Sequence, residues 1–328
     1  MKAMLLQETG QPLELVHLPI PRPKEGDLLL RVKCCGVCRT DLHLFLGELK
    51  PPSLPLILGH QIVGEVIEIG ENVKKTKVGD RVGVSWLAKS CHRCNYCLSG
   101  KENLCDKAQF TGFHTPGGFA EFCVIREHYS FALPPDYANE EIAPLLCGGF
   151  IGYRALRMTL NAKKIGFYGF GSSAHLLTQL AKTQKREIYA FVRKGDEKAK
   201  QFALELGAVW AGDSESAPPH PLDAAILFAP NGDLVPLALK AVKKAGVVVC
   251  AGIHMSDLPS FPYTLLWEER VLRSVANMTR RDGEEFLSLA KKRKIQAKVT
   301  LYPLEEANRA LEDIREGKLI GSAVLQLL

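Results

Sequence analysis

Apolar and polar positions come in short alternating runs up to about residue 131. Residues 28–34, 62–69, 81–86 and 119–125 are rich in β-branched and aromatic side chains, the pattern of short strands. Pro19-Ile20-Pro21-Arg22-Pro23 and Pro51-Pro52 break any helix between them, and Gly70, Gly79-Asp80 and Gly117-Gly118 mark turns. This pattern predicts a compact all-β body of the barrel or sandwich kind.

Near Cys147 the pattern changes. A short apolar run at 165–168 ends in Gly169-Phe170-Gly171-Ser172-Ser173-Ala174, and a helical pattern follows through Leu176, Leu177, Leu180 and Ala181. Strands at 187–192, 223–228 and 247–251 then alternate with helices at 197–206 and 234–242. Such alternation predicts a parallel, doubly wound sheet. Pro218-Pro219-His220-Pro221 is a loop within it. Residues 284–292 and 304–316 read as amphipathic helices and 323–327 as a closing strand. The predicted class is therefore α/β with an all-β part.

Length and composition narrow the classes. A chain of 328 residues suits two domains, and 46% hydrophobic residues supply a real core. The net charge of +6 is mild and its Lys and Arg are scattered, so no nucleic-acid partner is expected. No apolar run is long enough to cross a membrane, and Met1-Lys2-Ala3-Met4-Leu5-Leu6 leads into Gln7 and Glu8 rather than a signal peptide. Ten cysteines without a secretory signal read as metal ligands and buried thiols, and the reducing cytoplasm is the expected compartment.

Three segments carry chemistry. Cys91-x2-Cys94-x2-Cys97-x7-Cys105 places four thiolates within fifteen residues, enough to close a tetrahedral zinc site. Four ligands leave no open position, so this ion is structural. It would stiffen a lobe, 90–107, that has few apolar residues to hold itself together. His92, among these cysteines, is expected at the surface.

The second segment is Gly36-Val37-Cys38-Arg39-Thr40-Asp41-Leu42-His43, taken with Gly59-His60 and Cys147. Two thiolates and one imidazole suit zinc and leave a fourth position open, as a catalytic metal requires. Arg39, Thr40, Asp41 and His43 can add a phosphate contact, a proton acceptor, an anchor behind the metal and a proton exit.

The third is Gly169-x-Gly171-x-x-Ala174, which follows a predicted strand and opens a predicted helix, the context of a dinucleotide-binding turn. Gly169 allows the turn, Gly171 lets the backbone approach the pyrophosphate, and Ala174 still permits close helix packing. Ser172 and Ser173 stand at a helix N-terminus that offers donors to phosphate. NAD-specific sites carry an acid about 20 residues further on. Here Val192-Arg193-Lys194 occupies that place, and Arg193 and Lys194 suit the extra phosphate of NADP. NADP is expected, with NAD as the alternative.

These segments, in this order and with Leu145-Leu146-Cys147-Gly148, resemble the medium-chain, zinc-dependent alcohol dehydrogenases along essentially the whole chain. Asn72-Val73, Val78-Gly79-Asp80-Arg81-Val82, Leu304-Glu305-Glu306-Ala307-Asn308 and Gly317-Lys318 look like the family's turns and tail. The chain most resembles the bacterial, propanol-preferring branch acting on small primary alcohols. The resemblance implies a GroES-like catalytic domain, residues 1–148 and 280–328, interrupted by a Rossmann coenzyme domain at 149–279. It implies two zinc ions per chain, with Cys38, His60 and Cys147 holding the catalytic one. Asp41 would hydrogen-bond the far nitrogen of His60, and Arg39 would meet the coenzyme pyrophosphate. Thr40 would accept the alcohol proton and His43 would pass it to water. Trp86 and Leu49 would wall the alcohol pocket, with Ile151 a further apolar position. A homo-oligomer, dimer or tetramer, is expected, acting on an alcohol or aldehyde.

The chain departs from the family in three places. Gln61 stands where a Glu is usual, Ile151 where Thr is common, and Ala174 at the third glycine position. Two other readings stand beside the main one. One is a polyol, sugar or aromatic-alcohol dehydrogenase of the same superfamily; the other is a coenzyme-binding relative with a decayed site. Cys34, Cys35, Cys123 and Cys250 read as core thiols, His114 as a surface residue, and His175 carries no signal.

Overall fold

Strand β1 (Asp27–Val37) is buried at nearly every position, as a continuous apolar run predicts for a strand inside a sheet. It pairs antiparallel with β2 (Gln61–Ile69), which pairs in turn with β3 (Arg81–Val84). Register shifts at Leu29/Leu30 and Val32/Cys34 bend β1, and β4 (Phe122–Arg126) joins it along residues 27–31. β5 (Ser130–Ala132) completes this run beside β3. The computed structural model describes residues 1–327. It divides into two compact units, Met1–Cys147 with Asn277–Lys291 and Gln296–Leu328, and Gly148–Ala276 with Lys292–Ile295.

The first unit is not all-β. Helix α1 (Arg39–Leu46) follows β1 directly and carries four of the candidate site residues. The alternation of the surrounding strands hides it, because it is only eight residues long. Its start is nevertheless written in the sequence. Cys38 accepts from the backbone N–H of Thr40 at 3.3 Å, and Asp41 Oδ2 accepts from the N–H of Cys38 at 2.9 Å. That is a capping box with Cys in the place of Ser.

The second unit opens with α2 (Gly148–Met158), which its glycine-rich first turns disguise. Burial of Phe150, Tyr153, Ala155 and Leu156 holds it. Then follow β6 (Lys164–Tyr168), α3 (Ser172–Thr183), β7 (Glu187–Val192), α4 (Glu197–Leu206), β8 (Trp210–Asp213) and β9 (Leu222–Leu227). After them come α5 (Leu234–Ala241), β10 (Val242–Cys250) and β11 (Val271–Ser274). The six strands are parallel in the order β8-β7-β6-β9-β10-β11. The chain thus reverses direction across the sheet between β6 and β9, and ligands of such sheets bind at that point.

The chain returns to the first unit at Asn277, and α6 (Arg280–Arg293) lies in that unit up to Lys291. β12 (Val299–Pro303) lies parallel to β13 (Ser322–Gln326), and β13 pairs antiparallel with β1, completing a seven-stranded sheet. The predicted helix over 304–316 splits into a 3-10 turn, Leu304–Glu306, and α7 (Ala307–Glu316). α7 buries Ala307, Ala310 and Leu311 in the core of this unit. The predicted strand at 119–125 begins only at Phe122, since Phe119 and Ala120 cross the core without joining a named strand.

Candidate functional site

Cys38 ends the path from β1 into α1, and its sulfur caps the helix. Asp41 ties this corner to a second one: Oδ2 accepts from Cys38 N–H and Oδ1 accepts from Gly59 N–H at 3.1 Å. One buried carboxylate therefore positions both Cys38 and the residue before His60. The hydrogen bond expected between Asp41 and His60 is not made. Asp41 Oδ1 lies 3.6 Å from His60 Nδ1, an ion-pair distance just outside hydrogen-bond range, while both carboxylate oxygens accept backbone N–H groups. Among the described residues, His60 Nδ1 is buried with no hydrogen-bond partner.

Cys147 follows a 3-10 turn, Ala143–Leu146, whose four residues are all buried and so anchor it to the core. His60 Nε2 lies 3.4 Å from Cys38 Sγ and 3.3 Å from Cys147 Sγ, and the three donor atoms are all within 4.8 Å of one another. Zinc bonds of roughly 2.3 Å to sulfur and 2.0–2.1 Å to nitrogen put tetrahedral S···N edges at about 3.5 Å. The spacing therefore fits a zinc ion held by three protein ligands.

The field of the site fits as well. Burial opposes charge on His60, yet Cys38 and Asp41 lift its pKa to about 10. The Cys147 thiol, donating to Cys38, and the charge of His60 hold Cys38 well below the ordinary thiol value. The Cys38 thiolate, together with burial, pushes Cys147 well above it. Burial also pushes the Asp41 carboxyl up. This pocket is built to hold positive charge, and a divalent cation would draw both sulfurs into the thiolate form.

Aromatic rings cover one side of His60. Trp86 meets its ring edge to face at 4.8 Å, stacks on Phe110 at 5.3 Å and touches Phe113 at 5.7 Å. Trp86 is only 7% exposed, so it is both core and site wall. Phe110 and Phe113 carry no signal in the sequence. They lie beyond the cysteine lobe and reach Trp86 because residues 109–110 pair antiparallel with 87–89, and Thr111 N–H bonds Trp86 O at 2.8 Å. Leu49 is half-buried and packs on the core of the first unit. Gln61 is buried at the start of β2, with its side chain lying over Gly36.

Arg39 is exposed and Thr40 half-buried in the first turn of α1, while His43 is buried one turn further on. His43 Nδ1 lies 2.5 Å from Oε2 of Glu48, a residue that no sequence pattern singles out.

The four cysteines of the lobe also converge. Cys91, Cys94, Cys97 and Cys105 place their sulfurs within 4.8 Å of one another, with Cys94 and Cys97 at 3.6 Å and Cys91 and Cys97 at 3.9 Å. Tetrahedral S···S edges around zinc are about 3.8 Å, so this set fits a closed site. The backbone N–H groups of Arg93 and Cys94 lower the Cys91 thiol to about 6. Those of Cys91 and Lys107 each donate to Cys105 at 3.4 Å. His92 is exposed, beside Tyr129 and His128.

In the second unit, Gly169 turns the chain at the end of β6 with φ +91°, where only glycine is comfortable, and its N–H bonds the carbonyl of Phe191 at 2.8 Å. Gly171 precedes α3, and a Cβ placed there would meet nothing within 4 Å. That open side, with the N–H groups of Ser172, Ser173 and Ala174, fits a pyrophosphate at the start of a twelve-residue helix. His175, which carries no signal in the sequence, is 1% exposed, and burial lowers its pKa to about 4, so it stays neutral in the first turns of α3.

Arg193 and Lys194 are exposed at the end of β7. An acid does stand near them, although 20-odd residues later in the chain: Asp213 ends β8 and is paired with Val192. Lys200 binds its carboxylate at 2.8 Å, and the Lys200 hydrogen bond holds Asp213 below the usual carboxylate range. Ile151 is half-buried on α2. Cys34, Cys35 and Cys123 are core thiols as expected, but Cys250 is only partly buried, at the end of β10.

The sequence model of the alcohol dehydrogenase GroES-like domain matches residues 24–135. A probable alcohol dehydrogenase, AdhA, of Mycobacterium tuberculosis is 45% identical over 326 residues, covering 97% of this chain and 93% of that protein. An alcohol dehydrogenase of Geobacillus stearothermophilus is 37% identical over 339 residues, covering 100% of this chain and 99% of that protein. A cobalt- and zinc-bound thermostable alcohol dehydrogenase from Pyrobaculum aerophilum superposes with a TM-score of 0.92 at 25% identity, over 100% of this chain and 99% of that one.

Proposed function

The chain belongs to the medium-chain, zinc-dependent alcohol dehydrogenases, and from that premise we propose how its own residues divide the work and which substrate and coenzyme they favour. Cys38, His60 and Cys147 hold the catalytic zinc, and Cys91, Cys94, Cys97 and Cys105 a structural one. The observation that carries this reading is the convergence of three donors, drawn from three separate segments, to within 4.8 Å. When bound, the zinc ion acidifies the alcohol and polarises the aldehyde, and the nicotinamide ring carries the hydride.

The protein groups do the rest. Thr40 takes the hydroxyl proton and His43 receives it from the site, so that the proton need not cross an apolar wall. Trp86, Phe110 and Phe113 exclude water and limit bulk beside His60. A wall of this composition favours a small primary alcohol over a polyol, which would need hydroxyl partners there. Arg193 and Lys194 favour NADP, since Lys200 already pairs with Asp213, the carboxylate that ends β8 opposite Val192.

The edge strand β11 and the exposed Tyr263 and Trp267 near it support a homo-oligomer formed along that edge. No helix among the described residues is long and apolar enough to cross a membrane. The ten cysteines, none of them in a disulfide among the described residues, suit the reducing cytoplasm, which we assign as the compartment.

The test is a panel of initial rates with ethanol, propanol, butanol, benzyl alcohol and a polyol, each with NAD and NADP, on protein of measured zinc content. About two zinc per chain and highest kcat/KM for a short primary alcohol are expected. Preference for the polyol, or full activity with one zinc per chain, would overturn the reading.

A further inference from the structure

The metal and coenzyme sites leave one close contact unused, the pair formed by His43 and Glu48. His43 is buried on α1, with its side chain 6% exposed, whereas the Glu48 side chain is 44% exposed. The two meet through His43 Nδ1 and Glu48 Oε2. This is not a chance approach of two long side chains on an open surface. Helix α1 ends at Gly47 in the left-handed conformation, φ +77°, with its N–H bonded to Leu44 O at 3.2 Å. Leu49 N–H then bonds back to His43 O at 3.1 Å. The chain reverses between these two bonds, and Glu48 is the residue carried back over the helix. The N–H of Gly10 holds the same helix end from another segment, through Phe45 O at 2.6 Å. Any side chain at Gly47 would be strained by the φ and would crowd Thr9 at 3.2 Å.

The chemistry follows from the donor inventory. An ionised carboxylate only accepts, so the hydrogen of a neutral His43 lies on Nδ1. The lone pair is then on Nε2. We propose that Glu48 is the positioning residue of the proton relay: its carboxylate fixes His43 in the Nδ1–H tautomer, makes Nε2 the proton-accepting atom, and stabilises the imidazolium that forms. The inference rests on the reading of His43 as a relay group. The proton balance is simple. One proton from the substrate hydroxyl arrives at Nε2, none leaves Nδ1, and the ring carries a positive charge beside the negative carboxylate. The extra proton then passes to water or buffer, while the Glu48 carboxylate keeps its contact with His43 Nδ1. The logic is that of a carboxylate behind a catalytic histidine, where the acid orients the ring rather than taking its proton.

The test uses zinc-loaded enzyme with coenzyme, and the variants Glu48→Gln, Glu48→Ala, Glu48→Asp and His43→Gln. Nitrogen-15 spectra of histidine-labelled protein should show His43 as the Nδ1–H tautomer in the wild type and a mixture in Glu48→Ala. Alcohol turnover should fall about tenfold in Glu48→Ala, at the low end for a positioned acid–base group because water partly substitutes. Alcohol KM and zinc content should be nearly unchanged. Glu48→Asp should recover part of the loss, imidazole buffer should restore Glu48→Ala, and adding Glu48→Ala to His43→Gln should cost nothing further. An Nε2–H tautomer in the wild type, or Glu48→Ala turning over at the wild-type rate while His43→Gln is slow, would overturn the role of Glu48. Wild-type turnover in His43→Gln would overturn the relay reading itself, and the tautomer measurement separates the two failures.

Discussion

The four-cysteine lobe takes every donor from residues 91–105, whereas Cys38, His60 and Cys147 come from a helix N-cap, a strand entry and the end of a 3-10 turn. The lobe has little apolar burial of its own: Tyr96 and Leu98 are 42% and 74% exposed, the turn Asn95–Leu98 buries nothing, and the 3-10 turn Glu102–Leu104 buries Asn103 alone. Its donors need only short loop closures, and the metal would serve as its core. The open set is the reverse. Buried Leu145 and Leu146 and the Asp41 carboxylate place its donors before any metal arrives. On the proposed reading, a closed local centre would contribute stability and an open dispersed one chemistry.

The sharpest way to break this comparison is to remove one sulfur from each centre. Cys38→Ser should lower alcohol turnover by a factor of about 10³ or more, the scale of losing a metal that acidifies the substrate. Its zinc content should fall by about one ion while Tm hardly moves. A large fall in Tm would show that the open centre is structural too.

Cys94→Ser should act the other way. Loss of the lobe's zinc should lower Tm by about 10 °C or more. The fraction that stays folded should keep kcat within about twofold to threefold of the wild type. Unchanged thermal denaturation would remove the stabilising role.

The coenzyme site tests whether function outside both centres can be shifted alone. Arg193→Ala should lower kcat/KM with NADP by about tenfold, the scale of one charge-assisted phosphate contact, and leave NAD nearly unchanged. A wild type that prefers NAD, with no effect of the substitution, would assign Arg193 to the solvated surface.

The smallest effect is expected at the wall of the open centre. Trp86→Ala should shift the kcat/KM ratio toward bulky or secondary alcohols by several-fold, on the order of 1–2 kcal/mol of discrimination. Its stacking on Phe110 means some stability is lost as well, so the ratio between substrates, not the absolute rate, is the measurement. An unchanged ratio would place Trp86 in the core alone.

Much of this was legible in the chain because its signals are local. The strand at Glu187–Val192 and the helix at Glu197–Leu206 lie where the apolar pattern places them. The lobe was legible from spacing alone. Helix α1 was not, because eight residues are too few for periodicity to outweigh the strands on either side. The capping box of Cys38 and Asp41 was the signal that could have revealed it. Asp41 was expected to hydrogen-bond His60, but its hydrogen bonds go to the backbone N–H groups of Cys38 and Gly59, partners that no pattern of side-chain types encodes.

The sequence by itself determined the alternation of strand and helix, the closed four-cysteine set and the glycine turn, all of which depend on neighbours within a few residues or one element. Tertiary structure decided the rest. It brought Cys147 to His60, laid Phe110 and Phe113 against Trp86, set Lys200 on Asp213, and turned Glu48 back onto His43. These contacts depend on where separate segments are held by packing and by turns such as Gly47, and no local pattern of residue types encodes a distance between side chains that the backbone must first bring together.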